Sequence, residues 1–171
     1  MAKLTDIVII VDDKDKVLQY LSFSQTSNDM RWRDTAIYLF NDNGQVLIAK
    51  RHAKKRVLPN CWGPTASGTV ESHASYEQNA YKELSEEVGL AHIKLTHISN
   101  VCMNYDEHKR FTGLFKGVYN GKIDSLILEK YQVQEARWIS IQELRQEIAN
   151  DPSGFVPRLA ELLLLAVKET K

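Results

Sequence analysis

The chain is short of cysteine, of excess charge and of long apolar runs, and each shortage excludes a class of protein. Its two cysteines, Cys61 and Cys102, form neither a disulfide framework nor a zinc-binding spacing. Lysine plus arginine equals aspartate plus glutamate at 22 each, so the charge balance does not support binding of a nucleic-acid polymer. The longest apolar run, residues 162–167, is far too short to cross a bilayer.

The composition that remains is typical of a globular protein. With 171 residues, 43% of them hydrophobic, the chain is long enough to form one well-cored domain. With no signal peptide at its start and no disulfide framework, the expected location is a reducing cytoplasm. The sequence leaves the oligomeric state open.

Residues 68–90 predict a loop that runs into one helix. Ser75 is a good N-cap residue, Gln78 completes a capping box, and Gly89 is placed to end the helix. Between these ends, four residues recur at a spacing of four and form an apolar stripe: Tyr76, Ala80, Leu84 and Val88.

Three carboxylates lie on another face of the same helix. Glu83, Glu86 and Glu87 stand at positions i, i+3 and i+4, so their side chains are expected to converge on one patch. Carboxylate oxygens suit hard cations such as Mg²⁺, which also keeps water and phosphate ligands. The alternative is a solvated, glutamate-rich helix face.

The stretch resembles the Nudix box, G-x5-E-x7-R-E-U-x-E-E-x-G-U, where U is a bulky aliphatic residue. Seven of its nine specified positions match over 23 residues: Gly68, Glu83, Leu84, Glu86, Glu87, Gly89 and Leu90. Two positions differ, with Ala74 in place of the first Glu and Lys82 in place of the Arg. The flanking sequence resembles the branch that contains isopentenyl-diphosphate isomerase.

The resemblance implies a metal-dependent hydrolase that cleaves a diphosphate linked to another group. It implies that Glu83, Glu86 and Glu87 are catalytic residues and metal ligands, joined by the backbone carbonyl of Gly68. The expected cofactor is Mg²⁺, with Mn²⁺ as the alternative. The expected partner is a small-molecule diphosphate of the nucleoside-diphosphate type or a related compound, and neither a nucleic acid nor a membrane.

The two departures concern charge around the metal. Lys82 keeps the charge of the usual Arg but loses its planar fork, so the change is not conservative. Ala74 removes one carboxylate, for which Glu71 or Glu77 nearby could compensate. Despite this change, the resemblance makes Lys82 a substrate-binding candidate.

A basic run, residues 51–56, precedes the box and offers further contacts for phosphate oxygens. Arg51 is the preferred substrate-binding candidate because it directly follows a predicted strand; the others are Lys54, Lys55 and Arg56. A solvated charge run is the equally weighted alternative.

The residue that accepts a proton from the attacking water is not decided by the sequence. Glu86 and Glu87 are candidates, as are Glu129 and Glu135 in or beside the later loop. Glu107 and His108 are also conceivable, although an exposed hairpin turn is the simpler interpretation there.

Two other functions compete with hydrolysis. Ala74 and Lys82 would suit a non-catalytic Nudix-fold protein that binds or regulates through a nucleotide. An isopentenyl-diphosphate isomerase would need a catalytic Cys and a metal-binding His near the box glycine, where this chain has Ser67 and Thr69.

The pattern around the box predicts an α+β fold, a Nudix-like α/β/α sandwich with a central mixed β-sheet. Expected strands cover 7–11, 16–21, 35–40, 46–49, 93–105, 111–119 and 135–139, and further helices cover 141–149 and 157–168. Residues 22–34 are expected to be irregular, with Trp32 as a packing anchor. The predicted organisation is a single domain over 1–171, with 1–34 as an N-terminal strand extension and 35–171 as the core.

Overall fold

One nine-stranded β-sheet forms the centre of the protein. The computed structural model describes residues 6–104 and 109–168. The strands are β1 (Ile7–Val11), β2 (Val17–Ser22), β3 (Arg31–Phe40), β4 (Gln45–Arg51), β5 (Trp62–Gly63), β6 (Ala66–Thr69), β7 (Leu95–Asn104), β8 (Lys109–Val118) and β9 (Val133–Ser140). The helices are α1 (Tyr76–Val88), α2 (Ile141–Asn150) and α3 (Leu159–Lys168).

The long strand β3 connects most of the sheet. It pairs in parallel with β8 along its whole length and antiparallel with β1, β4 and β6, so the sheet is mixed as predicted. The prediction that irregular backbone extends to Asp34 was wrong, because β3 already begins at Arg31. Residues 31–34 are extended because they pair with residues 109–112 of β8, which are distant in the sequence.

Helices cover both faces of the sheet. Successive residues of β3 point to opposite faces. Ile37 and Leu39 contribute to the buried cluster that includes α1, whose members from the helix are Ala80, Leu84 and Val88. Ala36 and Tyr38 contribute to the cluster on the other face, whose members from α2 and α3 are Leu144, Leu159, Leu162, Leu163 and Ala166. This arrangement is the predicted α/β/α sandwich.

The N-terminal strands extend the same sheet. β1 pairs with β2 and with the start of β3. Trp32 is only 4% exposed and packs in one cluster with Val8 and Ile10, so its predicted role as an anchor is confirmed.

The helices are short, with 13 residues in α1 and 10 in each of α2 and α3. Within residues 6–104 and 109–168, no helix combines the length and the apolar character needed to span a membrane.

Candidate active site

Helix α1 begins and ends as its sequence predicts. The Ser75 hydroxyl accepts a hydrogen bond from the Gln78 backbone N–H at 3.1 Å, and the Gln78 side chain accepts one from the Ser75 N–H at 2.8 Å. Gly89 ends the helix at φ 75°, in the left-handed region that glycine adopts without strain. This capped helix fixes the acidic side chains relative to the loop before it.

Glu83 is buried directly beneath Gly68. The residue is 2% exposed, and a Cβ added to Gly68 would lie 2.0 Å from Glu83 Oε1, so any other residue at position 68 would displace the carboxylate. Its Oε2 atom is buried and has no hydrogen-bond partner among the described residues. Burial, with the charge of Glu87 nearby, raises the pKa of Glu83 to about 7. A buried carboxylate oxygen without a donor is a position that a cation would satisfy.

Glu87 lies in the same buried region, and both of its oxygens have neighbours. Oε2 accepts a hydrogen bond from the Ser67 N–H at 3.0 Å, and Oε1 lies 3.7 Å from Lys55 Nζ. Burial raises the pKa of Glu87, and the Lys55 charge and the Ser67 N–H oppose that shift. The residue is 6% exposed, so this carboxylate is held in place on two sides.

Glu86 differs from the other two carboxylates because it is exposed on α1. The structure therefore brings Glu83 and Glu87 together in a buried region and leaves Glu86 at the surface of the same helix. Across residues 6–104 and 109–168, no three His, Cys, Asp or Glu side chains are already gathered around a metal-sized space. The donor set that fits a cation consists of two buried carboxylates, one of them with an unpartnered oxygen.

The Gly68 carbonyl, predicted as a further metal ligand, accepts a hydrogen bond from the Asn79 side-chain amide at 3.2 Å. The Asn79 amide also donates to the Thr35 hydroxyl at 2.9 Å. These bonds tie the glycine loop to α1 and to β3, so the loop and the acidic helix hold one geometry.

Lys82 forms an ion pair outside the cavity. Its Nζ lies 2.6 Å from Glu71 Oε1, and this hydrogen bond lowers the pKa of Glu71. Glu71 is therefore the acid beside Lys82, whereas Glu77 is exposed in the first turn of α1. Whether Glu71 compensates for Ala74 in metal affinity stays a prediction, as does a contact of Lys82 with substrate.

Arg51 lies at the end of β4 and lines the cavity described below, as its candidate role requires. Its guanidinium is also a structural clamp: Nη2 donates to the Val57 carbonyl at 2.9 Å, and Nε donates to the Leu58 carbonyl at 3.1 Å. These bonds hold the loop that carries Lys55.

Lys55 is the functional candidate that the sequence did not distinguish from its basic neighbours. Its side chain is 4% exposed, and Nζ hydrogen-bonds to Gln132 Oε1 as well as facing Glu87. Burial lowers the pKa of Lys55, and the Glu87 carboxylate opposes this shift. Lys54 and Arg56 on either side are exposed, and of these two only Arg56 also lines the cavity described below.

Glu87 and its neighbours line a cavity of about 670 Å³. Glu87, Lys55, Arg51, Ser67 and Gly68 line its charged part, and Ala36, Tyr38, Val156, Leu159 and Leu162 line an apolar part. The volume lies in the range of small-molecule sites.

Glu129 and Glu135, the candidate bases from the later part of the chain, are not among the described residues that line this cavity. Glu135 is exposed on β9, and the Glu129 carboxylate accepts a hydrogen bond from the Tyr131 N–H at 3.0 Å. The backbone near Glu129 has a different role: Ile127 N–H donates to the Val88 carbonyl at 3.2 Å and Glu129 N–H to the Glu87 carbonyl at 3.1 Å. Glu107 and His108 lie outside the described residues.

The fold and the box-bearing helix together define a recognised class of domain. The NUDIX domain family matches residues 30–159, and the chain belongs to this family. The predicted family and the predicted α+β fold are confirmed. Nudix hydrolases generally use divalent metal ions.

Individual relatives cover most of the chain. The prenyl-diphosphate phosphatase of Methanosarcina mazei is 25% identical over 140 residues, which are 80% of this chain and 80% of the relative. The isopentenyl-diphosphate Delta-isomerase of Nocardia farcinica is 30% identical over 139 residues, or 78% of each chain. The crystal structure of DR0079 from Deinococcus radiodurans has the same fold, with a TM-score of 0.79 at 20% identity over 95% of this chain and 98% of that one.

Proposed function

We propose that the protein is a metal-dependent hydrolase that cleaves the diphosphate linkage of a small organic diphosphate. The observation that carries the proposal is the buried Glu83 carboxylate, whose Oε2 has no described partner, beside Glu87 at the edge of a cavity. Membership of the NUDIX family and the names of the two relatives, which refer to isoprenoid diphosphates, support the same substrate class. The proposed ion is Mg²⁺, with Mn²⁺ as the alternative.

The residues present fit a divalent cation, which the buried carboxylates of Glu83 and Glu87 would hold. The exposed Glu86 carboxylate and the Gly68 carbonyl, which accepts a hydrogen bond from Asn79, are proposed as further ligands on the pattern of the Nudix box. A bound divalent ion would neutralise diphosphate charge and lower the pKa of a water ligand. Lys55 and Arg51 line the same part of the cavity and would bind the negative oxygens of the substrate. The Ser67 N–H keeps Glu87 oriented toward that region.

Proton acceptance by a carboxylate completes the proposed reaction. Glu86 and Glu87 are favoured over Glu129 and Glu135, because both are on the box helix and Glu87 lines the cavity.

Hydrolysis is tested by measuring phosphate release from a panel of organic diphosphates with Mg²⁺, with Mn²⁺ and with chelator. Release is expected only with metal. Glu86→Gln and Glu87→Gln are each expected to reduce turnover by about 10²-fold or more, the usual contribution of a general base, with unchanged circular dichroism. Wild-type rates from both variants would rule out the proposed mechanism.

Gly68→Ala is expected to disable the site without unfolding the protein. The new Cβ would collide with the Glu83 carboxyl, which is the flexible end of its side chain and would move. A displacement of about 1 Å in a catalytic group can cost about 10²-fold in rate. The measurements are turnover and melting temperature, with Gly154→Ala as control because a Cβ there would meet only Asp151 Oδ2 at 3.6 Å. Equal rates for the two alanine variants would contradict the role of Gly68.

Mg²⁺ is expected to stabilise the protein more at pH 8 than at pH 6. The pKa of Glu83 is about 7 in the folded protein, above its ordinary value of 4.5. Its protonated form therefore contributes most to metal-free stability below pH 4.5, and this contribution is lost as pH rises through 7. Metal binding must displace this proton at pH 6, which weakens affinity by about tenfold. At a concentration near 100 times the Kd, about 2.7 kcal/mol of stabilisation should raise Tm by roughly 5–10 °C at pH 8. The same shift at both pH values would show that Glu83 is not a ligand.

The Nocardia relative makes isomerisation of isopentenyl diphosphate the second candidate. Ser67 and Thr69 line the cavity beside Gly68, where an isomerase would need Cys and His. Cys61 is buried, and its thiol lies 3.5 Å from the Ser153 carbonyl instead. Incubation with isopentenyl diphosphate separates the candidates: hydrolysis releases phosphate, and isomerisation yields an isomeric diphosphate.

A non-catalytic binder is the remaining alternative, and Ala74 is its main support. Metal-dependent phosphate release above the chelator blank, lost in Glu87→Gln, would exclude this alternative.

A further inference from the structure

The cavity extends along β3 from the acidic site toward α3. Ser67, whose N–H binds Glu87, lies opposite Ala36 in the pairing of β6 with β3. The next β3 residue on the same face is Tyr38, about 7 Å further along at the usual rise per residue. Both Ala36 and Tyr38 line the cavity, so its floor leads away from the carboxylates.

The wall at that end is hydrocarbon in character. Leu159 and Leu162 from the start of α3 and Val156 just before it line the cavity opposite the β3 floor. The Tyr38 ring is fully buried, and its hydroxyl donates to the Leu159 carbonyl at 3.1 Å. The Val156 N–H donates to the Trp62 carbonyl at 2.8 Å. Polar groups of this wall are therefore engaged within the protein, and aliphatic carbon faces the cavity.

Polar side chains lie in the opposite direction from Ala36. Asp34 and Thr69 face each other across β3 and β6, and Arg110 Nε lies 3.7 Å from Asp34 Oδ2. The Arg110 guanidinium also stacks on Trp32 at 3.5 Å. Asp34 also lines the cavity, and its Oδ1 atom is buried without a hydrogen-bond partner among the described residues. The cavity thus has a charged part around the acidic site and an apolar part at α3.

We infer that the group attached to the diphosphate is a hydrocarbon chain, which lies in the apolar part of the cavity near Ala36, Val156 and Leu162. This inference rests on the proposed function, since it assumes that the charged part holds a diphosphate. A nucleobase is recognised by hydrogen bonds to its edge or by stacking on an exposed aromatic ring. The α3 end of the described lining presents aliphatic side chains instead, which favour transfer of CH₂ groups from water.

A series of alkyl methylenebisphosphonates tests the inference, because these analogues bind without being hydrolysed. Their Kd for the full chain is measured by calorimetry with Mg²⁺ for butyl, hexyl and octyl esters. Each added CH₂ is expected to lower Kd by about fourfold, the equivalent of about 0.8 kcal/mol. Adenosine methylenebisphosphonate is expected to bind more weakly than the octyl compound. A Kd independent of chain length, or tighter binding of the adenosine compound, would overturn the inference.

A variant pair locates the chain in the cavity. Val156→Ser shortens the apolar wall and is expected to reduce the octyl-over-butyl preference by about fourfold or more, with little change in butyl affinity. Val118→Ser is the control, because Val118 is 60% exposed at the end of β8 and outside the cavity. An unchanged preference in Val156→Ser would count against this placement.

Phosphate release separates this inference from the proposed function. Fastest metal-dependent hydrolysis of nucleoside diphosphates would support the function and overturn the hydrocarbon inference. Chain-length-dependent binding with no hydrolysis of any alkyl diphosphate would support the hydrocarbon site and overturn the proposed function.

Discussion

Glu83→Gln is expected to lower metal-dependent hydrolysis by about a thousandfold while leaving the metal-free protein at least as stable as wild type at pH 8. A metal acting as Lewis acid supplies several kcal/mol of transition-state stabilisation, and each 1.36 kcal/mol is about tenfold in rate. Glutamine keeps the shape of Glu83 but removes its buried carboxyl group. Burial destabilises the ionised form of that group. The expected result is therefore opposite in sign for activity and for metal-free stability.

Three measurements check this prediction: turnover with Mg²⁺, melting temperature with chelator, and the rise in melting temperature on adding Mg²⁺. Only the first and third are expected to fall. Glu77→Gln is the matched control, since it makes the same change on the exposed first turn of α1. A fully active Glu83→Gln variant would exclude this carboxylate as a metal ligand, and a marked loss of metal-free stability would indicate a structural role.

Lys55→Met is expected to destabilise the protein more than any other single change among its basic residues 51–56. Its ammonium is buried 3.7 Å from Glu87 Oε1, and removal of one partner leaves the other charge buried without its partner. Breaking a buried ion pair costs about 3–5 kcal/mol, equivalent to a fall in Tm of roughly 10 °C in a protein of this size. Turnover is also expected to fall, because the cavity loses a cation that would bind phosphate.

Thermal unfolding of four proteins distinguishes the effect of the Lys55–Glu87 ion pair from that of side-chain packing. The four are wild type, Lys55→Met, Glu87→Gln and the double variant. The double variant is expected to be more stable than Lys55→Met alone, because the glutamine that replaces Glu87 carries no charge. The deficit of Lys55→Met should shrink as pH falls, because burial already raises the pKa of Glu87 and protonation neutralises it. Lys54→Met is the exposed control, and an equal effect of both lysine variants would refute a specific pair.

Local sequence predicted the features that depend on neighbouring residues. The Ser75 cap, the Gly89 end and the stripe Ala80, Leu84 and Val88 follow from helix periodicity and cap chemistry, which act over one or two turns. The box positions predicted the family for the same reason, since their spacing is set by one loop and one helix.

Features that depend on distant segments could not be predicted in this way. β3 starts at Arg31 because β8, nearly 80 residues later, pairs with it. Lys55 is buried because Arg51 clamps its loop and Gln132 reaches it from beside β9. Nothing in a run of basic residues distinguishes the one that such contacts enclose. The apolar wall at α3 is similarly assembled from β3 and residues 156–162, which no local pattern connects.

The last turn of α1 is braced from outside the box. Residues 127 and 129 donate their backbone N–H groups to the carbonyls of Val88 and Glu87, and a Cβ on Gly89 would lie 2.7 Å from Ile127 Cβ. The connection between β8 and β9 thus sets where the final carboxylate of the box stands. A sequence change confined to that connection would therefore move the Glu87 carboxylate while every box residue stayed the same.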